Sequence, residues 1–298
     1  MYLIYGKGKV GLAIASLCEW KGIAYEICDD TSMPESYNQY ECIIPSPGVP
    51  GTHTIYSTGK VMSELDFAYQ FLPKDFQIIS VTGTDGKSTT SWIMYNILEK
   101  EFSVKKSVYL SGNFEIPFSA TILDILKKGE TTGIIVVEVS SFMVFSLEKY
   151  QSDYSIFTNF KPDHLNWHKD LQEYFDAKMN LILHTKYKGI VNQQIIDFVS
   201  HENMDHLLPD NVRIFYMSDS LLPDSTNGET INLSGGGQYT LSKSNFSGKH
   251  NAMNILSCLM IADEMNISLD KVSEYLKSIK GLPHRLEIVG NKGGIIIV

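Results

Sequence analysis

The chain is 298 residues long, 43% hydrophobic and 20% charged, with 34 acidic against 25 basic side chains and a formal net charge of −9. That length exceeds one small domain and predicts two, one of them large. The acidic balance excludes broad, sequence-independent nucleic-acid binding, which needs a basic face, but not a small anionic ligand held by a loop and one lysine.

Cys18, Cys28, Cys42 and Cys258 are scattered and form no Cys-x-x-Cys pair, which reads as free thiols in a reducing compartment with no zinc site. No apolar run reaches the roughly 18 residues of a membrane span, and the start reads as a strand and a turn, not a signal peptide. A cytoplasmic monomer without membrane or nucleic-acid partners is expected.

The predicted elements begin with a small α/β unit over residues 1–72. A strand (Tyr2 to Tyr5) runs into Gly6-Lys7-Gly8-Lys9-Val10-Gly11, and a helix follows with Leu12, Ile14, Ala15, Leu17 and Cys18 toward its buried side. Further strands are expected at Ala24 to Cys28, ending in Asp29-Asp30, and at Cys42 to Ile44, breaking into Pro45-Ser46-Pro47-Gly48. Phe71 to Asp75 reads as the link to a larger unit over residues 73–298. There, strands at Ile78 to Val81, Gly133 to Val139 and Ser155 to Phe160 alternate with helices at Ser88 to Lys100 and Asp170 to His184. Alternation of this kind argues an α/β fold, a Rossmann-like parallel-sheet unit followed by a doubly wound sheet. A hairpin around Ser234-Gly235-Gly236-Gly237 and two helices, Asn251 to Asn266 and Leu269 to Lys280, complete the pattern. Gly293-Gly294-Ile295-Ile296-Ile297-Val298 reads as a turn entering a buried strand, so more chain is expected to follow.

The strongest chemical signal is strand, then Gly83-Thr84-Asp85-Gly86-Lys87-Ser88-Thr89, then helix. Glycines let successive N–H groups face one point, and the helix N-terminus adds partial positive charge. Lys87 is suited to the β- and γ-phosphates and the Ser88 hydroxyl to Mg²⁺, so the loop predicts ATP binding. Glu138 ends an apolar strand, where a carboxylate holds a metal, faces solvent or caps the next helix. His164 follows another strand, either in a site or as a satisfied loop histidine. His164 and His168 have metal-ligand spacing only if they share a helix. Lys178 lies within an apolar helical stripe of Tyr174, Phe175, Leu181 and Ile182. It is either a desolvated amine of lowered pKa or a snorkelling surface lysine. Gly6-x-Gly8-x-x-Gly11 with Asp29 fits a dinucleotide, a nucleotide-sugar or a plain tight turn.

Together these segments resemble the Mur ligases, ATP-dependent amino-acid ligases of peptidoglycan synthesis. The resemblance runs through Ser46-Pro47-Gly48-Val49-Pro50, the phosphate loop, Glu138-Val139-Ser140-Ser141-Phe142 and Asn159-x-x-x-Asp163-His164-Leu165. It continues through Ala177-Lys178, Gly248-x-His250-Asn251-x-x-Asn254 and Gly281-Leu282-Pro283-His284-Arg285, and its Ser-Pro-Gly turn and Glu-x-Ser-Ser-Phe favour the D-glutamate-adding branch. The resemblance implies that Lys178 is N-carboxylated and shares a second Mg²⁺ with His164, while Glu138 and Ser88 serve the first. It implies ATP contacts from Asn254 and Arg285. It further implies UDP contacts from Lys9, Val10, Asp29, Asp30, Ser46, Pro47 and Gly48, and muramoyl-alanine contacts from Asn113 and Ser140. The implied partners are ATP, UDP-N-acetylmuramoyl-L-alanine and glutamate. Asp85, Asn166-Trp167 and Met143 depart from the family pattern, which bears on substrate contacts more than on ATP. The family's third domain is expected to be absent, leaving ligation incomplete. Competing readings are a folylpolyglutamate synthase-like ligase, a nicotinamide dehydrogenase using Gly6 to Gly11, and a non-catalytic UDP-sugar-binding remnant.

Overall fold

The computed structural model describes residues 1–202, 204, 208–282, 290–292 and 295–297. Strands β1 (Tyr2–Tyr5), β2 (Tyr25–Cys28) and β3 (Cys42–Pro45) form a parallel sheet in the order β2-β1-β3, with helix α1 (Lys9–Lys21) between β1 and β2. α1 buries Gly11, Ile14, Ala15 and Cys18, the i, i+3, i+4, i+7 stripe of a helix packed on a sheet. Leu12 lies about 100° round from Gly11 and is 57% exposed, contrary to its sequence expectation.

A short helix, α2 (Glu64–Tyr69), and the turn through Phe71 lead into β4 (Asp75–Thr82). There follow α3 (Lys87–Phe102), β5 (Ser107–Gly112), α4 (Phe118–Lys128), β6 (Thr132–Glu138), α5 (Ser141–Val144), β7 (Ser152–Phe157), α6 (Leu171–Leu183), β8 (Thr185–Asn192), α7 (Gln193–His201) and β9 (Val212–Met217). Then come β10 (Ser225–Thr226), β11 (Thr230–Asn232), β12 (Gln238–Thr240), α8 (Lys249–Glu264) and α9 (Leu269–Ser278). The nine-stranded sheet runs β12-β11-β10-β9-β8-β7-β4-β6-β5, parallel from β5 to β10 and antiparallel through the β11–β12 hairpin. β13 (Gly290–Lys292) pairs antiparallel with β14 (Ile295–Ile297).

Every residue of β6 after Thr132 is buried, as a strand covered on both faces requires. Its side chains alternate between two cores. Ile134 and Val136 join Ile79 and Val81 under α3 and α8, while Ile135 and Val137 join Ile78 under α4. The second core continues into the small sheet through Ile14 and Leu17 of α1. Asp66 of α2 reinforces that junction by accepting the backbone N–H groups of Glu148, Lys149 and Tyr150 at 2.9, 2.8 and 2.7 Å. From β4 the chain crosses to β5 on one side and later to β7 on the other, so a crevice opens beyond the carboxyl end of β4. No described helix is long and apolar enough to cross a membrane.

The strand expected at Ser155 to Phe160 begins at Ser152 and ends at Phe157, which leaves Thr158, Asn159 and Phe160 in the following loop. His164 and His168 lie in turns, not on a shared helix, which removes the spacing argument for a metal pair.

Candidate functional site

β4 ends at Thr82, and α3 starts at Lys87 with Gly86 as its N-cap. Gly83 has φ 146° and Gly86 φ 80°, conformations that favour glycine. A Cβ on Gly83 would overlap the Thr158 hydroxyl, and one on Gly86 would overlap the Asn254 amide oxygen. The loop is pinned from the side by Asn159, whose backbone oxygen accepts from Thr84 N at 3.0 Å and whose Oδ1 accepts from Asp85 N at 2.9 Å. Thr158 Oγ1 donates to the Asp85 carbonyl at 2.6 Å. The N–H groups of the first turn of α3 lack intrahelical acceptors, the arrangement that anions use. Thr158 was missed as a site residue, and Asn159 was no more than a family mark, because the preceding strand was expected to run to Phe160.

Two lysines converge on this loop. Lys87 Nζ donates to the Gly83 and Thr84 carbonyls at 2.9 and 2.8 Å. Lys178 Nζ donates to the Gly83 carbonyl at 2.8 Å and sits 4.8 Å from the Tyr174 ring centroid. Lys178 is 1% exposed, so it does not snorkel. Burial, and then the charge of Lys87, push its pKa well below the ordinary lysine value, with Asp163 opposing. Tyr174, one turn earlier on α6, reaches Thr84 Oγ1 at 3.1 Å.

Glu138 ends β6 in register with Val81 of β4, so its side chain lies next to the phosphate loop's own strand. It is 2% exposed. Oε1 accepts from Asn113 Nδ2 at 2.9 Å, whereas Oε2 is buried with no hydrogen-bond partner among the described residues. Ser140 Oγ is orphaned likewise, and Ser88 is buried at the start of α3. An unpaired carboxylate oxygen at this depth fits a bound cation, since an isolated buried charge is otherwise costly. His164 follows in the β7–α6 connection with φ 54°, its ring against Phe142 and Tyr174 and its Nε2 3.5 Å from Asp163 Oδ2.

A cavity of about 830 Å³ opens beside the loop, bordered by Asp85, Gly86 and Thr89 on one side and by His250, Asn251 and Asn254 of α8 on the other. Asn254 therefore borders the phosphate loop at Gly86. Phe246 and Lys249 also line the cavity wall, and no local sequence motif marks them. Arg285 lies outside the described residues.

In the small sheet, Gly6 (φ 120°) packs so closely on Ser46 that a Cβ would overlap its side chain. Asp29 is engaged by Lys7 Nζ at 3.3 Å and by the Thr31 and Ser32 hydroxyls, which hold its carboxyl well below the usual range. Asp30 accepts from Tyr5 OH at 2.6 Å, and Tyr5 OH lies 3.1 Å from His53 Nε2. Lys9 and Gly48 are exposed and Val10 half-buried. Ser46 and Pro47 meet Phe142 and Met143 across a narrow cleft, which joins this sheet to the end of β6. Lys7, Tyr5 and His53 were not singled out from sequence, because their roles depend on the turns that follow β2 and β3.

Residues 81–262 match the family description Mur ligase middle domain. The chain is 30% identical over 307 residues to UDP-N-acetylmuramoylalanine--D-glutamate ligase of Aquifex aeolicus (strain VF5), covering 99% of this chain and 68% of that protein. It is 30% identical over 313 residues to the protein of the same name from Hydrogenobaculum sp. (strain Y04AAS1), covering 99% of this chain and 69% of the relative. Among solved structures, a pseudomurein peptide ligase type C from Methanothermus fervidus superposes with a TM-score of 0.56 at 18% identity, covering 99% of this chain and 74% of that one. UDP-N-acetylmuramate:L-alanyl-gamma-D-glutamyl-meso-diaminopimelate ligase from Neisseria meningitides gives a TM-score of 0.58 at 14% identity, covering 94% and 98%. These structures share the fold.

Proposed function

The chain belongs to the Mur ligase family of ATP-dependent amide ligases, and we propose that it acts on UDP-N-acetylmuramoyl-L-alanine, joining it to D-glutamate through an acyl phosphate. In this reading residues 1–72 hold the uridine diphosphate through Lys9, Val10, Asp29, Asp30, Ser46, Pro47 and Gly48. Residues 73–298 hold ATP through the loop Gly83–Thr89, Asn254 and Arg285, and Asn113 and Ser140 face the muramoyl-alanine.

A carboxylate oxygen of the substrate attacks the γ-phosphorus of ATP, and the bond to ADP breaks. The glutamate amine then attacks the acyl carbon, loses a proton and expels inorganic phosphate. Lys87 would serve the first step by its charge, since its ammonium is tied to the loop by the Gly83 and Thr84 carbonyls. Mg²⁺ held by Ser88 and Glu138, and at a second position by His164 and Lys178, would neutralise phosphate charge. Lys178 is fitted to that task only after modification. The buried ammonium first gives up one proton, and the neutral amine then adds CO₂ and gives up a second, leaving a carbamate anion in place of the cation.

The observation that carries the reading is the placement of the orphaned Glu138 oxygen on the strand beside the phosphate loop, with Lys178 bonded to that loop. Incubation of the chain with ATP, Mg²⁺ and UDP-N-acetylmuramoyl-L-alanine should release ADP, and added hydroxylamine should trap the substrate as its hydroxamate. ADP release that does not depend on the UDP-sugar peptide would refute the proposed substrate.

A further inference from the structure

His168 is 2% exposed and is enclosed by the rings of Phe142, Phe145, Trp167 and Tyr174, with centroids 4.5 to 6.2 Å away. Its Nε2 lies 2.9 Å from Ser141 Oγ. Its Nδ1 faces Glu173 Oε2 at 3.4 Å but completes no hydrogen bond among the described residues. The imidazole is only half-satisfied, because Nδ1 is left without a hydrogen-bond partner inside an aromatic box. The contact it does make is therefore the informative one.

Ser141 opens α5, directly after the Val139-Ser140 turn that follows Glu138 at the end of β6. α5 is only four residues long, and its N-cap Ser140 makes no side-chain capping bond. The backbone of that turn is held on the sheet side, by Val139 N on the Val81 carbonyl at 2.8 Å and Asn113 N on the Glu138 carbonyl at 2.8 Å. Just past it, the Ser141 hydroxyl meets His168 Nε2. On its own side, His168 precedes a firmly built helix start, where Glu173 Oε2 accepts from Lys169 N at 2.9 Å and Asp170 Oδ1 accepts from Glu173 N at 2.9 Å. The same helix carries Tyr174 and Lys178 to the phosphate loop.

We propose that His168 is a positioning residue: through Ser141 it fixes the turn after β6, so that the free Glu138 oxygen is held at the cation position relative to the loop and α6. The proposal rests on the ATP reading above and goes beyond it by naming a residue that touches neither nucleotide nor metal. Removing groups that orient a metal-binding carboxylate lowers metal affinity by about tenfold or more.

The test is ATP affinity by calorimetry in Mg²⁺ and again in EDTA, with thermal unfolding alongside, for the parent chain, Ser141→Ala, His168→Leu and His168→Gln. Ser141→Ala and His168→Leu should weaken binding in Mg²⁺ about tenfold and leave binding in EDTA unchanged. His168→Leu leaves the buried Ser141 hydroxyl without its partner, so it should unfold somewhat earlier than the parent, whereas its loss of ATP affinity should appear only in Mg²⁺. His168→Gln, which keeps a polar group near the Nε2 position, should recover most of the Mg²⁺-dependent affinity. Equal losses in Mg²⁺ and EDTA, or no loss in either, would overturn the proposal while leaving the ATP reading intact. A parent chain that binds ATP no better with Mg²⁺ than without it would overturn both. If His168→Leu does not fold, Ser141→Ala decides alone, since it removes a single oxygen.

Discussion

Lys87 and Lys178 donate to one and the same acceptor, the Gly83 carbonyl oxygen, at 2.9 and 2.8 Å. Two ammonium groups around one oxygen repel, and the more buried of them loses its proton more easily. Lys178 therefore binds fewer protons in the folded chain than in the unfolded one, across the window between its depressed pKa and the ordinary lysine value. Stability must rise with pH through that window, because the unfolded state binds the extra proton there. Below the depressed pKa the full penalty applies. Thermal unfolding at a series of pH values, in CO₂-free buffer, should show this slope, and Lys178→Met should flatten it. Addition of ¹³C-labelled CO₂ should give a carbamate resonance in the parent that is missing in Lys178→Met.

Glu138 is expected to trade stability for function. Its Oε2 is buried without a partner, and an unsatisfied buried polar group costs about 1–3 kcal/mol, more when charged. Glu138→Gln removes the charge and keeps an acceptor for Asn113. It should unfold at the same temperature as the parent or a few degrees higher, while UDP-sugar-dependent ADP release falls at least about 100-fold. A clear drop in unfolding temperature would mean that the carboxylate is structural.

The parts of this arrangement that were legible in sequence are those fixed by local pattern. The Gly83–Thr89 loop, the apolar run of β6 and the stripe around Lys178 each carry their own periodicity or turn chemistry, and each lies where expected. The illegible parts depend on packing between distant segments. β5 and α4 went unread, β5 being half-exposed at a sheet edge with no continuous apolar run. β8 follows its buried Thr185 with exposed Lys186 and Tyr187 and half-buried Lys188, and is continuously buried only from Gly189. Asn159 differs in kind: its tie to the loop spans 74 residues of sequence, and only register within the sheet reveals it. The sequence offers His168 only as a metal partner for His164, because its contact with Ser141 spans 27 residues and depends on packing.

Asp66 ties the two sheets together, and that tie is measurable. Its carboxylate accepts three backbone N–H groups at the start of β7's approach, from Glu148, Lys149 and Tyr150, while α2 packs on α4. Hydrogen bonds to a charged group contribute about 1.5–3 kcal/mol each and do not add fully. Asp66→Ala should therefore destabilise the chain by about 3–5 kcal/mol in urea unfolding. Asp66→Asn, which keeps one acceptor oxygen, should cost less. If Asp66→Asn costs nothing, the carboxylate's second oxygen contributes nothing; if the two substitutions are equally costly, a single retained acceptor does not hold the tie.

Gly86 gives the most direct test of the loop itself. Two separate effects oppose a side chain there: the left-handed backbone at φ 80° and the overlap of a Cβ with the Asn254 amide oxygen. The first costs about 1–2 kcal/mol for a residue other than glycine. The second displaces Asn254 from the wall of the 830 Å³ cavity or shifts the start of α3. Gly86→Ala should therefore weaken ATP binding by well over tenfold, on the order of 2 kcal/mol or more of combined strain and displaced contacts. Adding Asn254→Gly removes the overlap but not the backbone strain. The double variant should regain part of the unfolding temperature lost by Gly86→Ala and none of the ATP affinity, because Asn254 is itself a proposed nucleotide contact. Full recovery of ATP affinity in the double variant would show that Asn254 only fills space, and the cavity beside α8 would then lose its claim to the nucleotide.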